Sequence, residues 1–549
     1  MKYAGRLAAL LILTVFLITS VAFVKNNDLF FQIKKQLTIF SDVYREVATQ
    51  YVEDISPESL MKSSINAMLE TLDPYTVFID EGEQQQMEIL SSGSYGGIGI
   101  EAGFRGDQIV IIAPLEGYPA QRAGMRPGDI IVGVNDVQVR GMSPEEVQRL
   151  TLGDAGSEIQ ITIRRPALEE DITFNLVRER IEVNNINFAT KLGENNNLGY
   201  IHLARFGQQT AEEVRNQLIE FSQSGTFDGL ILDLRNNPGG LLNEAVDLID
   251  KFIEPGVTIV ETRGRSENHN STMVTSEPAM FEDLPIAVLI NEGSASASEI
   301  VAGVFQDLDR AVIIGENSFG KGLVQTVRPL SYNTSLKITI SKYYIPSGRS
   351  IQPLETSHRV DGTSSVAADS LRRAFRTKNG RVVFDGDGIE PDIPLPGHAS
   401  SLLELALQQS NRYFFFVNDM ISKMGESSDL EMPDDLFKQF TRSLVEEGFT
   451  FETPVDRHLA AIEANMENFS KEESAQSNLE ELKALLRDYK ISQIYDNQEM
   501  IERNLHIEWI TQTLGENRRN EALLQIDEPV LKALQTLLNP YEYQTVLRP

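Results

Sequence analysis

The stretch IAVLINEGSASASEIVAGVFQDL, residues 286–308, shows the pattern that decides the fold. It opens with Ile286–Ile290, an apolar run without alternation, and the residues from Ser298 onward are typical of an apolar helix. Three more such runs alternate with helical patterns along the chain: Leu198–Leu203, Gly229–Leu234 and Ala311–Ile314. Because a strand without alternation is buried on both faces, these runs predict a βαβ sheet within an α/β core.

Two loops at the carboxyl ends of these strands contain candidate functional residues, since open α/β sheets place their sites there. The loop Asp233–Gly240 ends in two glycines, which let the backbone turn sharply and expose amide N–H groups. The loop Asn291–Glu299 contains three serines and places a hydroxyl at a helix amino terminus, where dipole and N–H groups stabilise an oxyanion. Taken alone, each loop also fits an ordinary turn or helix cap.

A third loop, Gly315–Gly322, fits the phosphate-binding Walker A pattern at every position except the last. Gly322 stands where a Ser or Thr hydroxyl must hold magnesium, which argues against nucleotide binding. Lys321 suggests different chemistry, because a lysine desolvated beside a buried sheet loses its proton and becomes a general base for a nearby serine. Gln325 is placed to hold the amine by a hydrogen bond. Taken alone, Lys321 also fits a solvated loop lysine.

The regions outside this core have other patterns. Residues 28–83 predict a pair of amphipathic helices. Residues 95–177 predict a compact β domain of about 85 residues, with five or six strands and a helix near its end. The chain from Ser400 onward is acidic and helical in pattern, without a recognisable motif, and is interpreted as a helical appendage. The sequence therefore predicts an α+β multidomain protein.

Composition excludes several classes of function. The chain has 49 Lys and Arg against 80 Asp and Glu, a net charge of −31, so we expect no nucleic-acid partner. It has no cysteine, which excludes disulfides, thiolate catalysis and Cys-ligated metals. Its six histidines are scattered, so we expect no metal site and no cofactor. The remaining chemistry must come from hydroxyls, lysines and carboxylates.

The amino terminus is typical of an export signal. Lys2 and Arg6 precede the uncharged apolar run Leu7–Val24, and Ser20-Val21-Ala22 offers a cleavage site before Phe23. If it is not cut, the same run would just span a bilayer. We therefore expect the protein to be exported to the periplasm or cell envelope, with residues 1–24 as a cleaved signal peptide or an inner-membrane anchor. Membrane contact is expected only through residues 7–24.

Together these patterns resemble the carboxy-terminal processing peptidases, also called tail-specific proteases. The resemblance extends over roughly residues 28–396 and rests on the following segments: Leu72–Thr76, Gly96–Ile100, Pro119-Ala120, Ala123–Asp129, the loops 233–240 and 293–299, Phe319–Gln325 and Tyr344–Arg349. It implies a helical segment at 25–88, a PDZ domain at 89–180 and a crotonase/ClpP-like α/β peptidase core at 181–397. Residues 398–549, a C-terminal helical region, lie outside the common pattern.

The resemblance also implies a role for particular residues. The nucleophile would be Ser296, with Lys321 as general base and Gln325 to orient it. The oxyanion hole would consist of the Ala297 N–H and one N–H from either Gly239 or Gly240.

The PDZ domain would supply substrate recognition. Such domains bind an extended peptide as an added strand and capture its terminal carboxylate with N–H groups. The binding loop here would be Gly97-Ile98-Gly99-Ile100, and its apolar flanks predict substrates with nonpolar C-termini. The family resemblance implies that tail binding gates the active site. A homodimer or an activating adaptor is a further expected partner.

Two alternatives to an exported serine endopeptidase stay open on sequence alone. The first is a catalytically inactive PDZ scaffold of the cell envelope, although Ser296, Lys321 and Gln325 are all intact. The second is a nucleotide-binding α/β protein, which Gly322 disfavours.

Overall fold

The computed structural model describes residues 30–83, 93–105, 108–165, 168, 170–353, 372–397, 400–424, 431–469 and 473–548. The chain divides into two compact units, Met1–Gln84 with Gln325–Thr339, and Gln85–Val324 with Ile340–Pro549. The predicted export segment lies outside the described residues. Within the described part of the chain, no helix has the length and apolar character needed to cross a membrane.

The first unit contains the predicted pair of helices, α1 (residues 30–50) and α2 (Pro57–Glu70). Ser56 caps α2 by accepting a hydrogen bond from the Ser59 N–H at 3.2 Å. A short strand, β1 (Val77–Ile79), pairs antiparallel with residues 335–337. The residue before β1 adds a contact to the same strand, since the Thr339 N–H donates to Thr76 Oγ1 at 3.2 Å.

The second unit begins with the predicted strand-rich domain. Its elements are β2 (Ser94–Gly97), β3 (Ile100–Arg105), β4 (Gln108–Pro114), α3 (Pro119–Arg122), β5 (Ile130–Val134), β6 (Val137–Gln138), α4 (Pro144–Thr151), β7 (Glu158–Arg164), β8 (Ile172–Val177) and β9 (Glu179–Glu182). The main sheet has the order β3-β4-β5-β7-β8, with β6 on β5, while β2 pairs with β9. Alternate residues of β7 and a face of α4 pack into one apolar core. The predicted compact β domain is confirmed, although residues 94–177 form seven strands, β2 to β8, where five or six were predicted, and the strands β7 and β8 follow the helix α4.

The α/β core follows, and its sheet has the order β10-β11-β12-β15-β16-β21. The strands are β10 (Ile186–Leu192), β11 (Leu198–Leu203), β12 (Gly229–Asp233), β15 (Ile286–Ile290), β16 (Val312–Gly315) and β21 (Ile393–Pro394). The helices are α5 (Thr210–Gln223), α6 (Leu242–Asp250) and α7 (Ala297–Asp307). From β11 to β21 all neighbouring strands are parallel. The predicted parallel sheet is confirmed, and two strand predictions have the observed bounds.

The two faces of this sheet are covered by parts of the chain that are far apart in sequence. Ile286, Val288 and Ile290 face one core cluster, which contains apolar residues of α5, α6 and α7. Ala287 and Leu289 face a second cluster, whose other members include apolar residues from the last two helices of the chain. Successive residues of the strand thus face opposite clusters, and both faces of the sheet are buried. This explains why these strands show no alternation of apolar and polar residues.

Other strands complete the core. β13 (Thr258–Gly264) pairs antiparallel with β14 (Ser271–Val274) and with residues 341–344 of β18 (Ser335–Tyr344). The remaining strands are β17 (Leu323–Pro329), β19 (Ala374–Arg376) and β20 (Val382–Phe384). The sequence Ser335–Tyr344 is of alternating type and predicts β18 with its observed bounds, whereas no prediction covered β13 and β14.

The C-terminal region is helical, as predicted. It contains α8 (Leu402–Gln409), α9 (Arg412–Met424), α10 (Leu436–Glu446), α11 (Pro454–Phe469), α12 (Glu473–Asp496), α13 (Gln498–Leu514), α14 (Glu516–Leu524), α15 (Glu528–Leu538) and α16 (Pro540–Leu547). Helices α8 to α10 pack with α13 around Phe440 and Trp509. By contrast, α15 and α16 pack on the core sheet. The interpretation of this whole region as an appendage is therefore wrong for its last two helices.

Candidate active site

Ser296 lies immediately before Ala297, the first residue of α7. Its backbone has φ = 55° and ψ = −112°. Residues with a side chain rarely adopt this left-handed region, and such strain costs about 1–3 kcal/mol. The Ser296 side chain is half-buried, whereas the residues on either side of it are buried. The strained turn thus keeps this serine at the helix terminus while its neighbours Ala295 and Ala297 are buried.

The other two serines of the loop have structural hydrogen bonds. Ser294 Oγ donates to the carbonyl oxygen of Leu234 at 2.8 Å, and Ser298 Oγ donates to that of Asn237 at 2.9 Å. Both serines are fully buried. They hold the serine loop against the Asp233–Gly240 loop, and Ser296 alone among the three has a partly exposed side chain.

Glu299 is a fully buried carboxylate that the sequence analysis did not identify as a site residue. Its Oε2 accepts the N–H of Ser296 and the N–H of Lys321, both at 2.8 Å. Its Oε1 accepts the Ser318 hydroxyl at 2.6 Å and the Gly320 N–H at 2.7 Å. Burial raises the pKa of Glu299 above its ordinary value, and the four hydrogen bonds act in the opposite direction. One carboxylate therefore joins the backbones of Ser296 and Lys321.

Glu299→Gln is expected to lower the free energy of unfolding by about 1–3 kcal/mol. An amide has only one acceptor oxygen, so its NH2 group would face buried donors. Thermal unfolding checks this, with Glu292→Gln in the exposed part of the same loop as matched control. Equal behaviour of the two variants would contradict the role given to Glu299.

The loop that contains Lys321 is not arranged to bind phosphate. Its N–H groups donate within the protein: Glu316 to the Ile290 carbonyl, Ser318 to Ile389, Phe319 to Ser294, Gly320 and Lys321 to Glu299, and Gly322 to Gln352 Oε1. In a Walker A loop such amides cradle phosphate oxygens. Here a buried carboxylate occupies two of them, and its negative charge would repel a phosphate. The structure thus adds a second argument against nucleotide binding.

Gln325 belongs to the first unit, where its Nε2 donates to Thr339 Oγ1 at 3.3 Å. Its orienting contact with Lys321 stays a prediction. His202 lies in β11 and pairs with Phe188.

The loop Asp233–Gly240 lies against the serine loop through its glycines. Gly239 has φ = 95° and Gly240 has φ = 150°, conformations that glycine adopts without strain. A Cβ on Gly239 would come within 2.9 Å of both Ser296 Cβ and the Ala297 nitrogen, so no larger residue fits there. The Gly239 N–H donates to Asn237 Oδ1 at 2.9 Å.

An ion-pair network fixes the start of that loop. The Arg235 guanidinium contacts buried Asp233, with Nε donating to Oδ1 at 3.0 Å, and it also pairs with Asp527 at 2.9 Å. Burial alone would raise the pKa of Asp233, but the charge and hydrogen bonds of Arg235 lower it below its ordinary value. Tyr200 donates its hydroxyl to Asp233 Oδ2 at 2.7 Å. Arg235 thereby links the glycine loop to the residue that caps α15.

The loop Gly97–Ile100, which is predicted to bind a substrate carboxylate and is called the carboxylate loop below, joins β2 to β3. Gly99 has φ = 73°, and a Cβ there would lie 2.3 Å from Tyr118 Cβ, so this position requires glycine. The carbonyls of Ile98 and Gly99 accept N–H groups of Ala120 and Leu115 at 3.0 and 2.9 Å. The Ile98 side chain is 1% exposed and belongs to the domain core. Any role of Ile98 in peptide binding would therefore have to come from its main chain.

Strand β3 gives this loop a neighbouring surface for an extended peptide. β3 ends the sheet order and pairs with β4, so its other edge has no strand partner among the described residues. An open edge offers main-chain hydrogen bonds to an added strand. The carboxylate loop and the open strand edge adjoin directly, since β3 begins at Ile100.

Comparison with known proteins identifies the class as a serine-type peptidase with a PDZ domain. The chain belongs to the carboxy-terminal-processing protease family. Four family models match it: "Peptidase family S41" at residues 197–361, "PDZ domain" at 110–165, "Activating protease CtpB N-terminal domain" at 19–83 and "Probable PDZ-protease, C-terminal helical domain" at 403–537.

Similar proteins bear names of the same family. A carboxy-terminal-processing protease of Bartonella bacilliformis is 39% identical over 58% of this chain and 73% of its own length. A probable CtpA-like serine protease of Staphylococcus aureus (strain MRSA252) is 30% identical over 80% of this chain and 88% of its own. Among solved structures, a photosystem II D1 C-terminal processing protease is 26% identical, covering 69% of this chain and 96% of its own with a TM-score of 0.35.

Proposed function

We propose that this protein is an exported endopeptidase in which Ser296 and Lys321 form a catalytic dyad, and that its PDZ domain recognises nonpolar C-terminal tails. The observation that carries the proposal is the Glu299 carboxylate, which accepts the backbone N–H groups of both dyad residues at 2.8 Å. This arrangement keeps the serine turn and the lysine loop adjacent at the amino terminus of α7. A serine nucleophile and a lysine base require such proximity.

The reaction would run in two stages. Neutral Lys321 takes the proton of the Ser296 hydroxyl as Oγ attacks the carbonyl carbon of the peptide bond, which gives a tetrahedral intermediate. The intermediate collapses to an acyl-enzyme, and Lys321 returns the proton to the leaving amine. Water then attacks the ester with Lys321 again as base, and Lys321 passes this proton to Ser296 Oγ as the new carboxyl terminus is released. The proposal requires no metal and no nucleotide.

The tetrahedral oxyanion would be stabilised by the Ala297 N–H together with an N–H from Gly239 or Gly240. Ala297 is the first residue of α7, where the helix dipole favours negative charge. In the present conformation the Gly239 N–H donates to Asn237 Oδ1, so its use would require this hydrogen bond to be exchanged. Gly240 is exposed and needs no such exchange with Asn237.

Substrate recognition would use the loop Gly97-Ile98-Gly99-Ile100 for the terminal carboxylate and the open edge of β3 for the chain before it. The match to a PDZ model supports peptide binding by this domain. We further propose that tail binding gates the active site. The match to a model named for an activating protease is compatible with a homodimer or an adaptor that regulates it.

Export rests on the sequence of the amino terminus. Lys2 and Arg6 precede the apolar run Leu7–Val24, so we propose that the protein acts in the periplasm or cell envelope. Amino-terminal sequencing of the protein from its host would show whether the segment is removed before Phe23.

The decisive assay is digestion of an unfolded protein that has an apolar C-terminal tail, in the presence of a metal chelator and without nucleotide. Wild-type protein is expected to cleave it, because the dyad needs only side chains and main-chain N–H groups. Binding of the tail without any cleavage would favour the inactive scaffold, unless an activating partner restores the cleavage. Activity that depends on added metal or nucleotide would contradict the dyad mechanism.

Amidation of the substrate's C-terminus is expected to lower kcat/KM by about 10- to 100-fold. A neutral amide loses the charge-assisted hydrogen bonds of a carboxylate, which are worth about 1.5–3 kcal/mol. The measurement compares the amide and the free acid of one unfolded substrate. This change to the substrate is cleaner than Ile98→Asp, which would place a charge in the domain core. Equal rates for the two substrates would contradict carboxylate capture and leave the peptidase proposal intact.

A further inference from the structure

Tyr343 is a second side chain that contacts both candidate catalytic residues. It lies near the end of β18, is 1% exposed and packs in the core cluster that includes α7. Its Oη lies 3.3 Å from the carbonyl oxygen of Ser296 and also donates to the carbonyl oxygen of Lys321. The hydroxyl therefore connects the two residues through their carbonyls, whereas Glu299 connects them through their N–H groups.

These contacts complete the main-chain hydrogen bonding of the strained serine. The Ser296 N–H donates to Glu299, and its carbonyl accepts the Ile300 N–H at 3.0 Å as well as the Tyr343 hydroxyl. A residue in a rarely populated backbone conformation persists only where its surroundings hold it there. The Tyr343 hydroxyl is thus one of three groups that fix the Ser296 backbone in the conformation seen here.

Lys321 is held in the same way. Its N–H donates to Glu299 and its carbonyl accepts from Tyr343. The next residue adds a main-chain hydrogen bond, because the Tyr343 N–H donates to the Gly322 carbonyl at 3.1 Å. The lysine loop is therefore bonded to β18 by both the main chain and the side chain of Tyr343.

We propose that Tyr343 is a positioning residue for the peptidase reaction, whose hydroxyl sets the separation between the Ser296 and Lys321 backbones. This inference rests on the proposed dyad. A phenol has one proton, so Tyr343 shares it between two carbonyls and can hold both only while they remain close together. Loss of the hydroxyl would leave the two loops joined through Glu299 and through the hydrogen bond from the Phe319 N–H to the Ser294 carbonyl, without the link between the Ser296 and Lys321 carbonyls that Tyr343 supplies.

Tyr343→Phe tests the proposal, since it keeps the buried ring and removes only the hydroxyl. We expect kcat for an unfolded tailed substrate to fall by about 10- to 100-fold, because displacement of reacting groups by about 1 Å has effects of this size. KM should stay within about twofold, since the tail binds at the PDZ domain. A fluorophosphonate probe should label Ser296 more slowly by a similar factor, which reports on the serine without tail binding.

Tyr543→Phe is the matched control. Tyr543 is also buried, and its hydroxyl also bonds main-chain groups, those of Ile286 and Arg310, rather than the dyad. If Tyr343→Phe keeps wild-type kcat, or if both variants lose kcat and melting temperature equally, the positioning role is wrong. The positioning role is supported if the two variants have equal melting temperatures and only Tyr343→Phe shows the larger loss of kcat. Ser296→Ala in the same assay distinguishes failure of the dyad from failure of the positioning role. An active Ser296→Ala variant would overturn the proposed function itself.

Discussion

Replacement of Ser296 or Lys321 by alanine is expected to lower kcat/KM for a tailed substrate by at least about 10⁴-fold, with little change in tail binding. Removal of either member of a nucleophile–base pair eliminates the covalent route and leaves only the stabilisation of the oxyanion and substrate binding. The two variants should have similar residual rates, because the residues act as one unit. Steady-state cleavage together with fluorescence titration of a labelled tail peptide would measure both quantities.

The other serines of the loop supply matched controls. Ser294→Ala and Ser298→Ala each remove a buried hydroxyl that donates to a main-chain carbonyl, so each should lower the free energy of unfolding by about 1–3 kcal/mol. Both should still cleave the substrate within about tenfold of wild type. Ser296→Ala should show the reverse pattern, with the stability of wild type and a loss of at least about 10⁴-fold in kcat/KM. A folded but inactive Ser298→Ala, or an active Ser296→Ala, would mean that the wrong serine was assigned.

Much of the core was predictable because its strands are short and apolar on both faces. Ile286–Ile290 and Leu198–Leu203 have the bounds that their sequences predict, since turn residues flank each run. The apolar character of both faces does not indicate which segment of the chain covers each face. An uninterrupted apolar run indicates that both faces are buried, but it does not indicate that one is covered by α7, directly after the strand, and the other by α15 and α16, more than 200 residues later.

The site was predictable in part. Glu299 and Tyr343 were not predicted as site residues, for one physical reason: their contacts depend on how separate parts of the chain meet. A glutamate three residues after a helix cap is a capping-box pattern, so the contact of Glu299 with the Ser296 N–H had a signal in the sequence. Its contacts with Gly320 and Lys321 had none, because they depend on how two loops meet. The alternating sequence of β18 likewise gives no indication that Tyr343 contacts Ser296 and Lys321. Glycine alternation around Ile98 suggested peptide binding but could not show that this side chain points into the domain core.

The second large effect is expected from the end of the chain, where deletion of residues 527–549 should abolish folding of the α/β core. Helices α15 and α16 bury Val530, Leu537 and Tyr543 against the second face of the sheet. Burial of each such side chain contributes about 1.5–3 kcal/mol, so their joint loss is comparable with the whole stability of a domain, about 5–15 kcal/mol. Deletion also removes the Asp527 carboxylate from Arg235 and the Tyr543 hydroxyl from the Ile286 N–H.

Point variants in the full chain separate this packing role from any other effect of truncation. Val530→Asp puts a charge where the side chain is fully buried, whereas Leu531→Asp puts it one position along the same helix, where the side chain is 45% exposed. We expect the first to give insoluble protein or a strongly lowered melting temperature and the second to behave like wild type. A longer truncation, from Ser400 onward, would remove the same layer of the core, so it could not show whether the other C-terminal helices serve as a lid, a dimer element or a partner dock. A soluble truncated protein with a cooperative unfolding transition would show instead that the sheet is stable without this layer.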